Sequence, residues 1–314
     1  MFTQFTLIQF TLIQFTLLVL AVSHYIFFYK INFSPIYIKI KHMLKLEDSN
    51  SKPKKIVVFD LDETLGCFNE IGIFWDALEQ YHGHNLFKEQ LFDVLDLFEE
   101  FLRPNILKIL EFVKEQKMKN VCDHVMIYTN NQGPKSWVKM LSDYFNMKIN
   151  YDLFDKIIAA FKIRDKVIEM CRTSHAKSVE DLIRCTKIPN NTEICFIDDQ
   201  FHPLMEQDNV YYINVKPYFF SLPYETMAER YYDAFMKNTS VDINDFIHSI
   251  VTTMQRYNYF VRSKSDLEQN TDKVVSKQLL IHLENFFKKG RTKNTRKQKS
   301  SIKSKTTRKK NMFI

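Results

Sequence analysis

The chain has 314 residues, of which 45% are hydrophobic and 26% charged, enough apolar material for one large domain or two small ones. Its five glycines (Gly66, Gly72, Gly83, Gly133 and Gly290) are too scattered for a glycine-cradled dinucleotide fingerprint or a P-loop, so any phosphate chemistry uses another device. The net charge of +7 is uneven: residues 288–310 carry twelve Lys or Arg and no acid, and without them 32 basic residues face 37 acidic ones, a net of −5.

Residues 1–29 contain no Asp, Glu, Lys or Arg. Within them, Phe10–Tyr29 supplies the roughly 20 mostly apolar residues that a bilayer span needs. Lys30, Lys39, Lys41 and Lys45 follow, so an inserted helix leaves the rest of the chain cytosolic. Two other readings stay open. The repeated FTLIQ unit, with Gln4, Gln9 and Gln14, and the position of Met43 suit an extension ahead of the true start. Ala21-Val22-Ser23 is a weak cleavage site for a signal peptide that lacks a basic n-region. The division that follows is 1–45 as a hydrophobic segment, 46–54 as a polar linker, 55–240 as the main domain, 241–287 as a helical extension and 288–314 as a basic tail.

Five short apolar runs read as buried strands: Lys55–Phe59, His124–Tyr128, Lys156–Ala159, Glu193–Ile197 and Val210–Val215. Helical patterns separate them. Pro104–Lys117 places Ile106, Ile109, Leu110 and Val113 on one face, and Ser136–Phe145, Ser178–Cys185 and Tyr224–Lys237 are further helices. The segment 74–101 also reads as helical, with Trp75, Phe87, Phe92 and Phe98 as core and His82 and His84 as loop histidines. Asp242–Tyr257 and Asp272–Phe287 complete the helices. Alternating strands and helices predict an α/β fold with a parallel sheet covered on both faces, a small helical insert and extra C-terminal helices. The five cysteines (Cys67, Cys122, Cys171, Cys185 and Cys195) are odd in number and contain no C-x-x-C. They read as small buried residues in a reducing compartment rather than as disulfides or zinc ligands.

The chemistry concentrates where the first strand ends, in Phe59-Asp60-Leu61-Asp62-Glu63-Thr64-Leu65. Strand ends of this kind are where open α/β sheets bind ligands. Alternation along an extended chain points Asp60 and Asp62 the same way. Two adjacent carboxylates resist joint ionisation unless a cation or proton intervenes, and Mg²⁺ is the oxygen-seeking ion that suits them. Ile194-Cys195-Phe196-Ile197-Asp198-Asp199 repeats the arrangement at a later strand.

The DLDETL string resembles the first motif of haloacid dehalogenase-superfamily phosphatases, in the form carried by the FCP/SCP-like branch of protein phosphatases. The resemblance runs from Lys55 to about Pro217 and implies the remaining roles. Asp60 and Asp62 become the catalytic pair, as nucleophile and as acid and base. Thr129, with Asn130 beside it, binds phosphate. Lys177 neutralises charge, with Lys162 and Lys187 as competitors for that part. Asp60, Asp62, Asp198 and Asp199 hold the metal, Asp199 more directly than Asp198. Arg103-Pro104 matches an R-P element of the family and is either structural or near the substrate. The helical insert replaces the family's usual β-hairpin flap, and its small size suits a macromolecular phosphate.

The implied function is a Mg²⁺-dependent phosphatase acting on phosphoserine or phosphothreonine proteins. The alternatives are a phosphatase of nucleic-acid ends or nucleotides, or a binding protein without catalysis. Partners are a phosphorylated protein, nucleic acid through residues 288–310, and a membrane through residues 10–29. The tail itself reads as a nuclear-localisation signal, a nucleic-acid arm or a solvated disordered end, and it resembles basic tails of large-DNA-virus proteins. A cytoplasmic or nuclear location follows, membrane-anchored if the first segment is expressed.

Overall fold

Five hydrophobic segments pair side by side, the central three buried on both faces and the two edge strands only in part. The computed structural model describes residues 53–257 and 261–288. The expectations for residues 10–29, for most of the 46–54 linker and for the tail beyond Lys288 lie outside the described residues. The strands are β1 (Lys55–Phe59), β2 (His124–Tyr128), β3 (Lys156–Ile158), β6 (Glu193–Asp198) and β7 (Val210–Asn214), and they form one sheet in the order β3-β2-β1-β6-β7. Every pairing is parallel. Two very short strands, β4 (Lys162–Ile163) and β5 (Lys166–Val167), make a separate antiparallel hairpin that the sequence pattern does not announce.

The helices are α1 (Asn69–His82), α2 (Lys88–Leu97), α3 (Ile106–Met118), α4 (Lys135–Lys148), α5 (Val179–Thr186), α6 (Tyr224–Tyr231), α7 (Ile243–Gln255) and α8 (Asp266–Lys288). Side-chain alternation divides the sheet between two layers. Val57, Phe59, Val125, Ile127, Cys195 and Ile197 enter the larger apolar cluster, which takes in buried residues of α1–α4 and α6–α8. Ile56, Val58, Met126, Tyr128, Ile194 and Phe196 face the smaller one, closed by Val179, Leu182 and Cys185 of α5. The sheet is therefore a Rossmann-like α/β sheet flanked by helices on both faces.

The insert after β1 is helical, as α1, α2 and a 3₁₀ turn at Glu99–Phe101. Its aromatic residues do not all enter the core. Phe98 is fully buried, but Phe87 precedes α2 on the surface and is 73% exposed, which corrects the expectation that it packs inside. The C-terminal helices join the same core through Phe246, Ile250, Met254, Leu279 and Leu283. Tyr211 of β7 and His282 of α8 meet at 2.8 Å, and the Lys55 Nζ donates to the Phe286 carbonyl at 2.8 Å.

A second correction concerns the cysteines. Cys171 and Cys185 form a disulfide across 14 residues, with their Cα atoms 5.0 Å apart. The loop after β5 turns back onto the last turn of α5, so two residues distant in sequence become neighbours. Cys67, Cys122 and Cys195 are buried and lie outside the disulfide, as expected. Among the described residues, no helix is long and apolar enough to cross a membrane.

Candidate active site

The strand order reverses direction at β1, whose neighbours are β2 and β6. Such a switch point opens a crevice at the carboxyl ends of the strands. Asp60 follows β1 directly and Asp198 ends β6, so the topology alone brings the two acidic strand ends together. The Asp60 amide donates to the Ile197 carbonyl at 2.8 Å and fixes their register.

Beyond Asp60 the chain makes a tight loop. Glu63 takes a left-handed conformation with φ of 62°. Its amide bonds the Gly66 carbonyl at 2.7 Å, and the Leu65 amide bonds the Leu61 carbonyl at 2.8 Å. Gly66 is required by close approach, since a Cβ there would lie 2.7 Å from the Phe101 carbonyl oxygen and 2.6 Å from the Phe68 ring. Arg103 is only 1% exposed and donates to the Thr64, Glu63 and Lys216 carbonyls at 2.5, 2.5 and 2.8 Å. Of its two readings the structural one holds: Arg103 clamps the acidic loop by its backbone.

Lys177 is the lysine that reaches the site. Its ammonium group bonds Asp60 Oδ1 at 2.5 Å and Asp198 Oδ2 at 2.6 Å, and the residue is 2% exposed. Lys187 instead caps the exposed end of α5, and Lys162 lies in β4 with its Nζ over the Phe161 ring. Lys177 is held by what surrounds it. Ser178 caps α5 by accepting from the Asp181 amide at 3.1 Å, and Arg172 donates to the Thr129, Ala159 and His175 carbonyls at 3.1, 2.8 and 2.9 Å. Arg172 thus ties the Lys177 segment to the end of β2.

Thr129 follows β2, is 1% exposed and lines the same cavity, its hydroxyl accepting from the Asn131 amide at 3.0 Å. Asn130 donates to the His175 carbonyl at 3.1 Å, and its Oδ1 is buried without a partner among the described residues. The residue that touches the catalytic candidates is its neighbour. Asn131 Nδ2 donates to Asp62 Oδ2 at 2.7 Å, while Asp62 Oδ1 is buried with no partner among the described residues. These groups, with Gln200 and His202, line a cavity of about 240 Å³.

Asp60, Asp198 and Asp199 each offer a carboxylate oxygen, and these atoms lie within 4.8 Å of one another, a set able to hold a metal ion. The Asp62 side chain is not in that set. Asp199 is placed by Thr64, whose hydroxyl donates to Asp199 Oδ1 at 3.3 Å. His82 and His84 belong to no such group among the described residues.

The electrostatics explain why a cation is wanted. Five acids, Asp60, Asp62, Glu63, Asp198 and Asp199, share one lysine. Burial opposes the charge on Lys177, but attraction to Asp60 and Asp198 outweighs it and keeps the ammonium protonated. Burial likewise opposes ionisation of Asp198, yet Lys177 and His202 outweigh it and hold this acid below its usual range. At the other acids burial prevails, even where Lys177 opposes it. Burial raises Asp60, Asp62 and Asp199, each also repelled by a neighbouring carboxylate. Burial and Asp199 push Glu63 up to about 7. An all-oxygen donor set with surplus negative charge fits a hard divalent cation.

No family model and no curated protein matches this chain. The case for its chemistry therefore rests on the site itself.

Sequence reasoning missed Asn131, Arg172, Gln200 and His202. His202 lies four residues after Asp198 and sits 3.4 Å from its Oδ2, a spacing that offered a signal. Arg172 offered none, because its three acceptors are backbone carbonyls from separate segments.

Proposed function

We propose that the protein is a Mg²⁺-dependent phosphatase of the haloacid dehalogenase type, acting through an aspartyl-phosphate on phosphoserine or phosphothreonine proteins. The observation that carries this reading is the meeting of Asp60, Asp62, Lys177, Asp198 and Asp199 at the switch point of a parallel sheet. A structural acid cluster has no need to bury a lysine between two aspartates and leave a third carboxylate oxygen bare.

Asp60 attacks phosphorus, and its O–P bond forms as the bond to the leaving oxygen breaks. Asp62, whose burial favours the protonated form, gives its proton to that oxygen. The resulting carboxylate then takes a proton from water as the water attacks the phosphorus of the acyl phosphate. Inorganic phosphate leaves and Asp60 is regenerated. Lys177 and the backbone and hydroxyl donors around Thr129 hold the phosphoryl oxygens. Asp60, Asp199, Asp198 and the Asp62 carbonyl are the groups that would hold Mg²⁺, which neutralises charge as phosphate and carboxylate approach.

The test is turnover of a panel of small phosphate esters, phosphopeptides and end-phosphorylated oligonucleotides by the full chain, with Mg²⁺ and with excess chelator. Mg²⁺-dependent release of phosphate from phosphopeptides, lost in Asp60→Asn, supports the reading. Full activity in chelator, or in Asp60→Asn, overturns it. Preferential turnover of oligonucleotides moves the substrate to nucleic-acid ends.

A further inference from the structure

A second cavity, of about 530 Å³, opens beside the catalytic one and shares Asn69, Asn131 and Gln132 with it as a common wall. Residues of α1 and α4 line it, among them Ile73, Trp75, Trp137 and Met140, together with Tyr257. Asp76 and Glu79 also line it, and among the described residues no lysine or arginine does. Both acids are anchored by neutral donors. Asp76 accepts from the Tyr257 hydroxyl and the Gln80 amide, and Glu79 Oε1 accepts from the Leu86 amide at 3.0 Å.

Gly72 lines the cavity. This residue sits inside α1, where glycine costs about 1 kcal/mol relative to alanine. Its backbone needs no left-handed conformation, and a Cβ would stand at 3.5 Å from the Trp137 ring, an ordinary contact. A side chain is therefore sterically permitted at its root, beside the Trp137 ring that also lines the cavity.

We infer that this cavity is a specificity pocket for a cationic side chain, arginine or lysine, flanking the phosphorylated residue of a peptide substrate. The inference rests on the phosphatase reading and names its substrate. The shared wall places the occupant close along the chain from the phosphate. The partly exposed side chains of Ile73 and Met140 suit the aliphatic stem, and the two acids complement the charge of its head. The same acids repel the phosphodiester backbone of a nucleic acid, which would bring further negative charge into the pocket.

The experiment compares phosphoserine peptides that differ only by one arginine, placed at each neighbouring position in turn, with an all-alanine parent. The full chain, Gly72→Leu and Asp76→Asn are assayed with Mg²⁺, alongside a small aryl phosphate ester. The best-placed arginine is expected to raise kcat/KM about tenfold in the parent protein. Gly72→Leu, which adds bulk to the cavity wall, should erase that preference, and Asp76→Asn should weaken it, while both turn over the small ester like the parent. Equal kcat/KM for all peptides, or a preference that survives Gly72→Leu, overturns the pocket while leaving the phosphatase intact. Faster turnover of a phosphorylated oligonucleotide than of any arginine peptide also overturns it. No turnover of the small ester by the parent protein defeats the phosphatase reading, and the pocket with it.

Discussion

Lys177 and Asp60 are 117 residues apart in the chain and 2.5 Å apart in the fold, with Asp198 on the other side of the same ammonium group. The lysine holds two buried carboxylates that burial alone would discharge. Removing it leaves Asp60 without its ammonium partner in a buried site, a change that costs about 3–5 kcal/mol. Lys177→Met should lower the urea midpoint accordingly and cut turnover by about 10²–10³-fold. A Lys177→Met protein as stable and as active as the parent would show that the pair is incidental.

Asn131 tunes the proposed acid. Its amide favours the ionised form of Asp62, against burial, which favours the protonated one. Asn131→Ala removes the favourable bond and raises Asp62 further. Because the first step needs Asp62 protonated, the basic limb of the kcat/KM–pH profile should move to higher pH. An unmoved limb would separate Asn131 from the proton transfer.

Glu70 supplies a pH effect on stability away from the chemistry. It is fully buried in α1, bonds the Leu222 amide through Oε1 at 3.0 Å, and leaves Oε2 unpartnered among the described residues. Burial raises it from 4.5 to about 7. Between these values the unfolded chain has released the proton that the folded chain retains. Stability is thus fully present below pH 4.5 and is lost as pH rises towards about 7. The loss is about 3 kcal/mol at most. Glu70→Gln should flatten that slope and stabilise the protein at pH 8, as read by urea denaturation at several pH values. An unchanged slope would place the effect elsewhere.

The Cys171–Cys185 bond brackets Lys177 and adjoins Arg172, so it constrains the segment that delivers the lysine. Closing a loop of this length stabilises by about 3 kcal/mol. Reduction, or Cys185→Ser, should lower the denaturation midpoint and reduce turnover, while the Mg²⁺ requirement persists. Free thiols without any change in either quantity would remove the constraint from the account.

The sheet was legible in the sequence because its strands are short apolar runs, and all five occur at the positions the pattern marks. The acidic strand ends were legible for the same reason, since their place follows from the strands. What escaped depends on contacts between distant segments. Arg172 binds only carbonyls, and the Cys171–Cys185 pair exists because the loop after β5 folds back. Asn130 and Asn131 cannot be ranked from sequence, and the fold gives the contact with Asp62 to Asn131. The helix α8 starts at Asp266 rather than Asp272 because its first turns are polar and carry no apolar period. Phe87 was misjudged because an aromatic residue in a helical pattern reads as core, and its place ahead of α2 turns it to solvent.

The central claim is that Asp60 becomes phosphorylated, and chemical trapping addresses it directly. The full chain is mixed with Mg²⁺ and an aryl phosphate ester, quenched in acid and treated with borohydride, which reduces an acyl phosphate to an alcohol. Peptide mass spectrometry should then find homoserine in place of Asp60, and none in protein incubated without substrate. Homoserine at another acid, or continued turnover with no trapped residue at all, would contradict the account.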